Sequence, residues 1–142
     1  MNVHHLIEEL AQHTLPSKGM HRLTYTPEWL TARQIVRREM EALSMTTWED
    51  GAGNLFGRLA GSDPDALPVA TGSHLDTVPH GGKYDGILGV VGGLAAIAEI
   101  KKSGPTKHPL ELIIFAAEEA SRFGSGMMGS KLLLGMGNLD QW

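Results

Sequence analysis

The stretch ILGVVGGLAAIAEIKKSGPTKHPLELIIFAA, residues 87–117, decides the fold. Its first half places apolar residues on every side of a helix, gathers lysines near its end and stops at Gly104–Pro105. This pattern predicts a buried helix from about Gly86 to Ser103. Its second half, Leu110–Ala117, is a nearly continuous apolar run, which is typical of a central strand. The stretch therefore predicts a helix followed by a buried strand.

Another short strand is predicted just before this helix. Val69–Ser73 is small and largely apolar, which suits a strand buried on both faces. Two strands joined by a crossover helix form a βαβ unit, in which the strands run parallel. The expected fold class is therefore α/β, with a mostly parallel sheet flanked by helices.

The rest of the chain adds further elements to this unit. Thr26 followed by Pro27 is a typical helix start, and the apolar stripe behind it predicts a helix over Glu28–Leu43. The other predicted elements are a helix over 2–13, a turn over Trp48–Gly53, a strand over Asn54–Leu59, a reversing connection over 62–68 and a helix over Met127–Leu134.

Composition excludes several classes of function. The chain has 12 basic and 16 acidic residues and a net charge of −4, so no basic surface predicts nucleic-acid binding. No apolar run approaches the length of a membrane span, and the N-terminus lacks the apolar centre of a signal peptide. Cysteine is absent, which leaves only nitrogen and oxygen ligands for any metal. A soluble cytoplasmic protein, with neither nucleic acid nor membrane as partner, is expected.

Charged residues follow the two strands of the βαβ unit directly. His74 and Asp76 come after the first strand, and Glu118 and Glu119 come after the second. Asp85 stands at the start of the helix between them. Because ligands of open α/β sheets bind outside the carboxyl ends of the strands, these five side chains are expected to share one crevice.

Each of these residues also has an ordinary structural interpretation. Asp85 alone favours a helix cap, Glu118–Glu119 a solvated loop, and His74 a hydrogen-bonded core histidine. Together they favour a metal site, because clustered carboxylates raise one another's pKa unless a cation neutralises them. Asp76 is placed to accept a hydrogen bond from the imidazole of His74, while His80 stays ambiguous.

Three motifs carry a resemblance to a known family. GNLFGRL (53–59), SHLDTVPHGGKYDGILGV (73–90) and EEASRFGSGMMGSKLL (118–133) resemble the M20-type metallopeptidase and amidohydrolase superfamily. Within it they look like the hydantoinase/carbamoylase branch of N-carbamoyl-L-amino acid hydrolases, allantoate amidohydrolases and β-ureidopropionases. The resemblance extends from about Arg22 to Gly135.

The resemblance implies a zinc-exopeptidase-like catalytic domain with two divalent metal ions, Zn²⁺ or alternatively Mn²⁺, Co²⁺ or Ni²⁺. It assigns His74, Asp85 and Glu119 as metal ligands, Asp85 being shared by both ions. Glu118 matches the general base that takes a proton from a metal-activated water, and Asp76 matches the acid behind the metal histidine. The implied reaction is hydrolysis of a linear amide or carbamoyl C–N bond in a small N-carbamoyl or ureido substrate, by a homodimer in the full-length family.

The chain departs from the family pattern at a few positions and in length. Ala117 and Ala120 stand where an acidic residue and a glycine are common, and His80 where asparagine is frequent. Family members are much longer, so residues 1–142 are expected to be the N-terminal part of the catalytic domain, weak in metal binding and inactive alone. Two alternatives stay open, a non-catalytic truncated remnant acting as a binding or assembly domain and an aminoacylase-type peptidase.

Overall fold

A computed structural model describes residues 1–137 and shows alternating helices and strands. In chain order the elements are α1 (Val3–Gln12), α2 (Pro27–Ala42), β1 (Thr46–Glu49), β2 (Leu55–Leu59), β3 (Val69–His74), α3 (Ile87–Lys102), β4 (Leu110–Phe115) and α4 (Met128–Leu133). The α/β class with flanking helices is confirmed. The helix start at Thr26 is also confirmed, because its side chain accepts the Trp29 N–H and Pro27 is the first helical residue.

The four strands form one sheet in the order β1-β2-β4-β3. β3 and β4 are parallel and are connected by α3, which confirms the βαβ unit. β2 runs antiparallel to both β1 and β4, so the sheet is mixed rather than mostly parallel. The cause is local: a tight turn over 50–54 can return the chain only in the antiparallel direction, and the connection over 60–68 reverses it again.

Two strand predictions need correction. β1 occupies Thr46–Glu49, partly where a turn over Trp48–Gly53 was expected. β3 was expected to be buried on both faces, yet Val69 is 58% exposed, because β3 lies at the edge of the sheet in the described part of the chain. β4 is the central strand that its sequence predicts, with Leu112 and Ile114 fully buried.

The core lies between the helices and the sheet. Its largest apolar members include Trp29, Met40, Leu55, Leu94 and Leu112, all fully buried, and burial of each such side chain contributes about 1.5–3 kcal/mol. α3 can approach the sheet closely because it carries Gly93, where a Cβ would lie 2.9 Å from Leu112 Cδ1. Among residues 1–137, no helix combines the length and the apolar content needed to cross a bilayer.

Candidate metal centre

The ends of β3 and β4 bring the predicted charged residues to one edge of the sheet. β3 ends at His74, which pairs with Phe115 at the end of β4. Glu118 and Glu119 follow β4, and Asp85 precedes α3. Because the two strands are parallel, their carboxyl ends lie side by side, as expected from the sequence.

His74 stands at the centre of this group. Its Nε2 lies 3.7 Å from Asp85 Oδ1 and 3.7 Å from Glu118 Oε2. His74, Asp85 and Glu119 each offer one ligand atom, and these three atoms lie within 4.8 Å of one another. The structure therefore groups all three predicted metal ligands and places the predicted base beside them.

The donor set fits a divalent cation. His74 Nδ1 lies 2.9 Å from the main-chain oxygen of Asp76, and a carbonyl can only accept, so Nδ1 carries the proton. In the neutral imidazole, Nε2 then has a lone pair, and this atom faces the carboxylates of Asp85 and Glu118. Two ligands of one tetrahedral zinc ion lie about 3.4 Å apart at bond lengths near 2.1 Å. The 3.7 Å between Nε2 and Asp85 is close to that separation.

Asp76 takes part in a way that differs from the prediction. Its carboxylate lies 3.7 Å from His74 Nδ1, and the short hydrogen bond goes instead to its backbone carbonyl. Asp76 is 1% exposed. Its carboxylate accepts hydrogen bonds from the backbone N–H groups of Glu118 at 3.4 Å and Glu119 at 3.0 Å. Asp76 therefore connects the loop after β3 to the loop after β4.

Negative charge is in excess at this edge of the sheet. Burial raises the pKa of Glu119, and the nearby carboxylates of Glu118, Asp85 and Asp76 raise it further, while His74 opposes the shift. Four carboxylates thus surround a single imidazole. A divalent cation at this place would offset their mutual repulsion.

The helix-cap interpretation of Asp85 does not hold. The N-cap of α3 is Gly86, and no side chain caps this helix. The Asp85 side chain is 62% exposed and lies near His74. Gly86 has φ +70°, and a Cβ there would lie 2.7 Å from Nδ1 and Cε1 of His74, so a glycine lets the backbone pass the imidazole.

The structure also shows supporting residues that the sequence did not reveal. Arg22 is fully buried and Thr24 nearly so, and both contact the loops that carry the site. A loop arginine normally indicates solvent exposure, so composition gave no signal. His80, ambiguous in the sequence, is paired through Nδ1 with Ser17 Oγ at 2.7 Å and lies outside the ligand group.

Comparison with known proteins gives consistent similarities. Residues 70–141 match Peptidase family M20/M25/M40. The chain is 43% identical over 137 residues to a ureidoglycolate hydrolase of Arabidopsis thaliana, covering 95% of this chain and 29% of that protein. It is 40% identical over 131 residues to an N-carbamoyl-L-amino-acid amidohydrolase of Paenarthrobacter aurescens, covering 92% of this chain and 32% of that protein.

A solved structure shows the same fold. The crystal structure of a hydantoinase/carbamoylase family amidase from Burkholderia ambifaria matches with a TM-score of 0.92 at 35% identity, covering 97% of this chain and 34% of that one. The chain thus spans about a third of the length of the relatives it matches.

Proposed function

This chain belongs to the M20/M25/M40 peptidase family, and we propose that the complete protein hydrolyses linear amide or carbamoyl C–N bonds with a metal centre. The observation that carries the proposal is the grouping of ligand atoms from His74, Asp85 and Glu119 within 4.8 Å. Similarity to a ureidoglycolate hydrolase and an N-carbamoyl-L-amino-acid amidohydrolase supports a small ureido or N-carbamoyl substrate.

Two divalent ions would be held by this group. His74 would bind one ion through Nε2, Glu119 would bind the other, and Asp85 would contribute to both sites. When bound, the ions polarise the scissile carbonyl and make a water acidic enough to attack near neutral pH. Zinc, manganese, cobalt and nickel all accept this set of nitrogen and oxygen ligands.

Glu118 acts as the general base. Its Oε2 lies 3.7 Å from His74 Nε2, beside the proposed ligands rather than among them. It takes the proton of the attacking water and then delivers it to the departing nitrogen. Asp76 keeps Glu118 in place through the backbone hydrogen bond described above. With a carbamoyl substrate the products are carbon dioxide, ammonia and a free amino acid.

Residues 1–142 form the N-terminal part of the catalytic domain in this proposal. With Asp85 common to both ions, each ion would have two protein ligands from this chain, whereas a catalytic zinc normally has three. The chain alone is therefore expected to bind metal weakly and to turn over little substrate. The complete protein is proposed to be a cytoplasmic homodimer.

The test uses the complete protein purified from its own cells, whose intact mass is measured first. Ammonia release is then followed with N-carbamoyl-L-amino acids and allantoate, and hydrolysis of dipeptides is measured alongside. We expect ureido substrates to be cleaved, a chelator to abolish the rate and added Zn²⁺, Mn²⁺ or Co²⁺ to restore it. Cleavage of dipeptides alone would favour a peptidase, and metal binding without hydrolysis would favour a non-catalytic domain.

The role of Glu118 is tested separately. Glu118→Gln should retain the metal content and lose about 100-fold or more in rate, the usual contribution of a general base. Glu99→Gln is the control, because Glu99 lies on α3, outside the ligand group, and pairs with Lys102. Activity that survives in the Glu118 variant would refute the assignment.

A further inference from the structure

A segment before α2, Met20–Thr24, lies against the loop that follows β3. We call it the support segment. Met20 and Gly81 exchange two backbone hydrogen bonds of 2.9 Å. The main-chain carbonyl of Arg22 accepts a hydrogen bond from the Thr77 N–H at 2.9 Å. The main-chain N–H of Arg22 donates to the Thr77 hydroxyl, also at 2.9 Å. The support segment therefore fixes the loop at two places.

The side chain of Arg22 adds a third attachment. Its Nε donates to the carbonyl of Leu75 at 2.7 Å, and Leu75 separates His74 from Asp76 in the chain. Its Nη1 donates to the carbonyls of Leu10 at 2.7 Å and His13 at 3.0 Å, at the end of α1. The guanidinium thus joins the first helix to the backbone between the imidazole and the connecting acid.

The environment of Arg22 is costly for a charge. The residue is fully buried, and its Nη2 has no hydrogen-bond partner among residues 1–137. Burial lowers the pKa of Arg22 to about 10, while the nearby charge of Asp76 opposes the shift. The three hydrogen bonds to main-chain carbonyls offset part of this cost, and an apolar side chain at this place would leave those carbonyls without their donor.

Thr24 contacts the second loop of the site. Its hydroxyl accepts the N–H of Ala117 at 3.1 Å, and its carbonyl accepts a hydrogen bond from Arg122. Ala117 has φ +48° and directly precedes Glu118, so it sets the direction in which the glutamate pair leaves β4. The support segment therefore holds the backbone on both sides of the proposed centre.

We propose that Arg22 and Thr24 are positioning residues for this centre. Arg22 fixes the backbone between His74 and Asp76, and Thr24 fixes the turn that leads into Glu118 and Glu119. The Asp76 carboxylate then connects the two loops. The inference rests on the proposed function only for the identity of the site, because the backbone contacts can be tested without metal.

The first measurement is amide hydrogen exchange of the metal-free 142-residue chain. The exchange rates of the Glu118 and Glu119 amides are compared with those of the amides in β4. Arg22→Met and Thr24→Val should speed exchange at these two amides by about tenfold or more, because each variant removes hydrogen bonds that hold the adjoining loops and loss of roughly 1.4 kcal/mol corresponds to tenfold. Thr24→Ser keeps the hydroxyl and should restore the slow rate. The control is Arg33→Met, because Arg33 is also buried but pairs with Glu49.

The second measurement is a Co²⁺ titration followed by visible absorption. Arg22→Met and Thr24→Val should weaken binding about tenfold, the lower end of the usual effect of residues behind metal ligands. Arg33→Met and Thr24→Ser should bind like the unchanged chain. If Arg22→Met does not fold, the Thr24 pair decides by both measurements.

The outcomes separate this inference from the proposed function. Unchanged exchange at Glu118 and Glu119 in both variants would overturn it. An equal effect of Arg22→Met and Arg33→Met, with no rescue by Thr24→Ser, would assign Arg22 a purely structural role and also overturn it. If the complete protein binds no Co²⁺, the metal centre loses its support, while the exchange data on the 142-residue chain still decide whether the support segment positions the loops.

Discussion

The carboxylate of Asp76 accepts the backbone N–H of Glu119 at 3.0 Å, across 43 positions of sequence. A second oxygen of the same group accepts the N–H of Glu118 at 3.4 Å. Hydrogen bonds to an ionised acceptor are stronger than neutral ones. Asp76 therefore holds Glu118 and Glu119 through their backbone. The two glutamate side chains are not used in these hydrogen bonds and stay available for the roles proposed for them at the metal centre.

Replacing Asp76 by asparagine removes one of its two acceptor oxygens. Asp76→Asn should weaken Co²⁺ binding by about 10- to 100-fold and lower the free energy of unfolding by about 1–3 kcal/mol. Titration and urea unfolding measure the two effects. Asp63→Asn is the control, because Asp63 accepts a hydrogen bond only within an exposed loop. Equal Co²⁺ affinity in both variants would contradict the role of Asp76.

Two histidines, His74 at the end of β3 and His80 in the loop after it, are expected to behave differently. His74→Ala should abolish Co²⁺ binding, because His74 supplies the nitrogen of the ligand group. His80→Ala should leave binding within about twofold, since His80 is bonded to Ser17 and is not a proposed ligand. Visible absorption of Co²⁺ measures both. Loss of binding in the His80 variant would mean that the ligand set is wrongly drawn.

Gly86 should not tolerate a side chain. Gly86→Ala places a Cβ 2.5 Å from the His74 carbonyl at a φ of +70°, so it should lower the free energy of unfolding by about 1–3 kcal/mol and weaken Co²⁺ binding. Gly82→Ala is the matched control in the same loop, because a Cβ there meets nothing within 4 Å. Similar unfolding curves for the two variants would refute the steric explanation.

Glu49 should make stability depend on pH. Hydrogen bonding to Arg33, with the added charge of Arg37, lowers the pKa of Glu49 below its ordinary 4.5. The pair therefore stabilises the folded state above pH 4.5 and loses this effect as pH falls through the lowered value. Glu49→Gln should cost less than about 1 kcal/mol at pH 7, since Glu49 is partly exposed and screened. Urea unfolding should show that the difference in free energy of unfolding between the unchanged chain and Glu49→Gln vanishes in acid. A difference that stays constant with pH would contradict this role of Glu49.

Local patterns predicted every element except β1, and they predicted that the charged residues lie together. The pair Thr26–Pro27 predicts the start of α2, and a run of apolar residues predicts β4. Both predictions succeed because each signal lies within or next to the element that it predicts. His74 and Glu119 were expected together since each follows a strand of one βαβ unit. These inferences need only the connectivity of adjacent elements.

What the sequence did not predict depends on distant partners. The exposure of β3 reflects which strand lies beside it. The four residues TTWE of β1 favour a strand by residue type but are too few and too exposed to show an alternation of apolar and polar residues. The carboxylate of Asp76 was expected to bond to the imidazole, but it accepts hydrogen bonds from backbone N–H groups. Almost every residue carries such a group, so the sequence does not show which ones will bind the carboxylate. Arg22 acts on backbone carbonyls of 10, 13 and 75, so no side-chain pairing marks it.

The support segment also bears on the order in which the chain acquires its structure. Arg22 bonds to a carbonyl 53 positions later, and Thr24 bonds to an amide 93 positions later. Closing such long loops costs entropy that only a largely formed core repays. During synthesis, Thr24 has to wait until residue 117 has left the ribosome. The proposed ligand group likewise becomes complete only after residue 119 has been made, because it needs His74, Asp85 and Glu119 together.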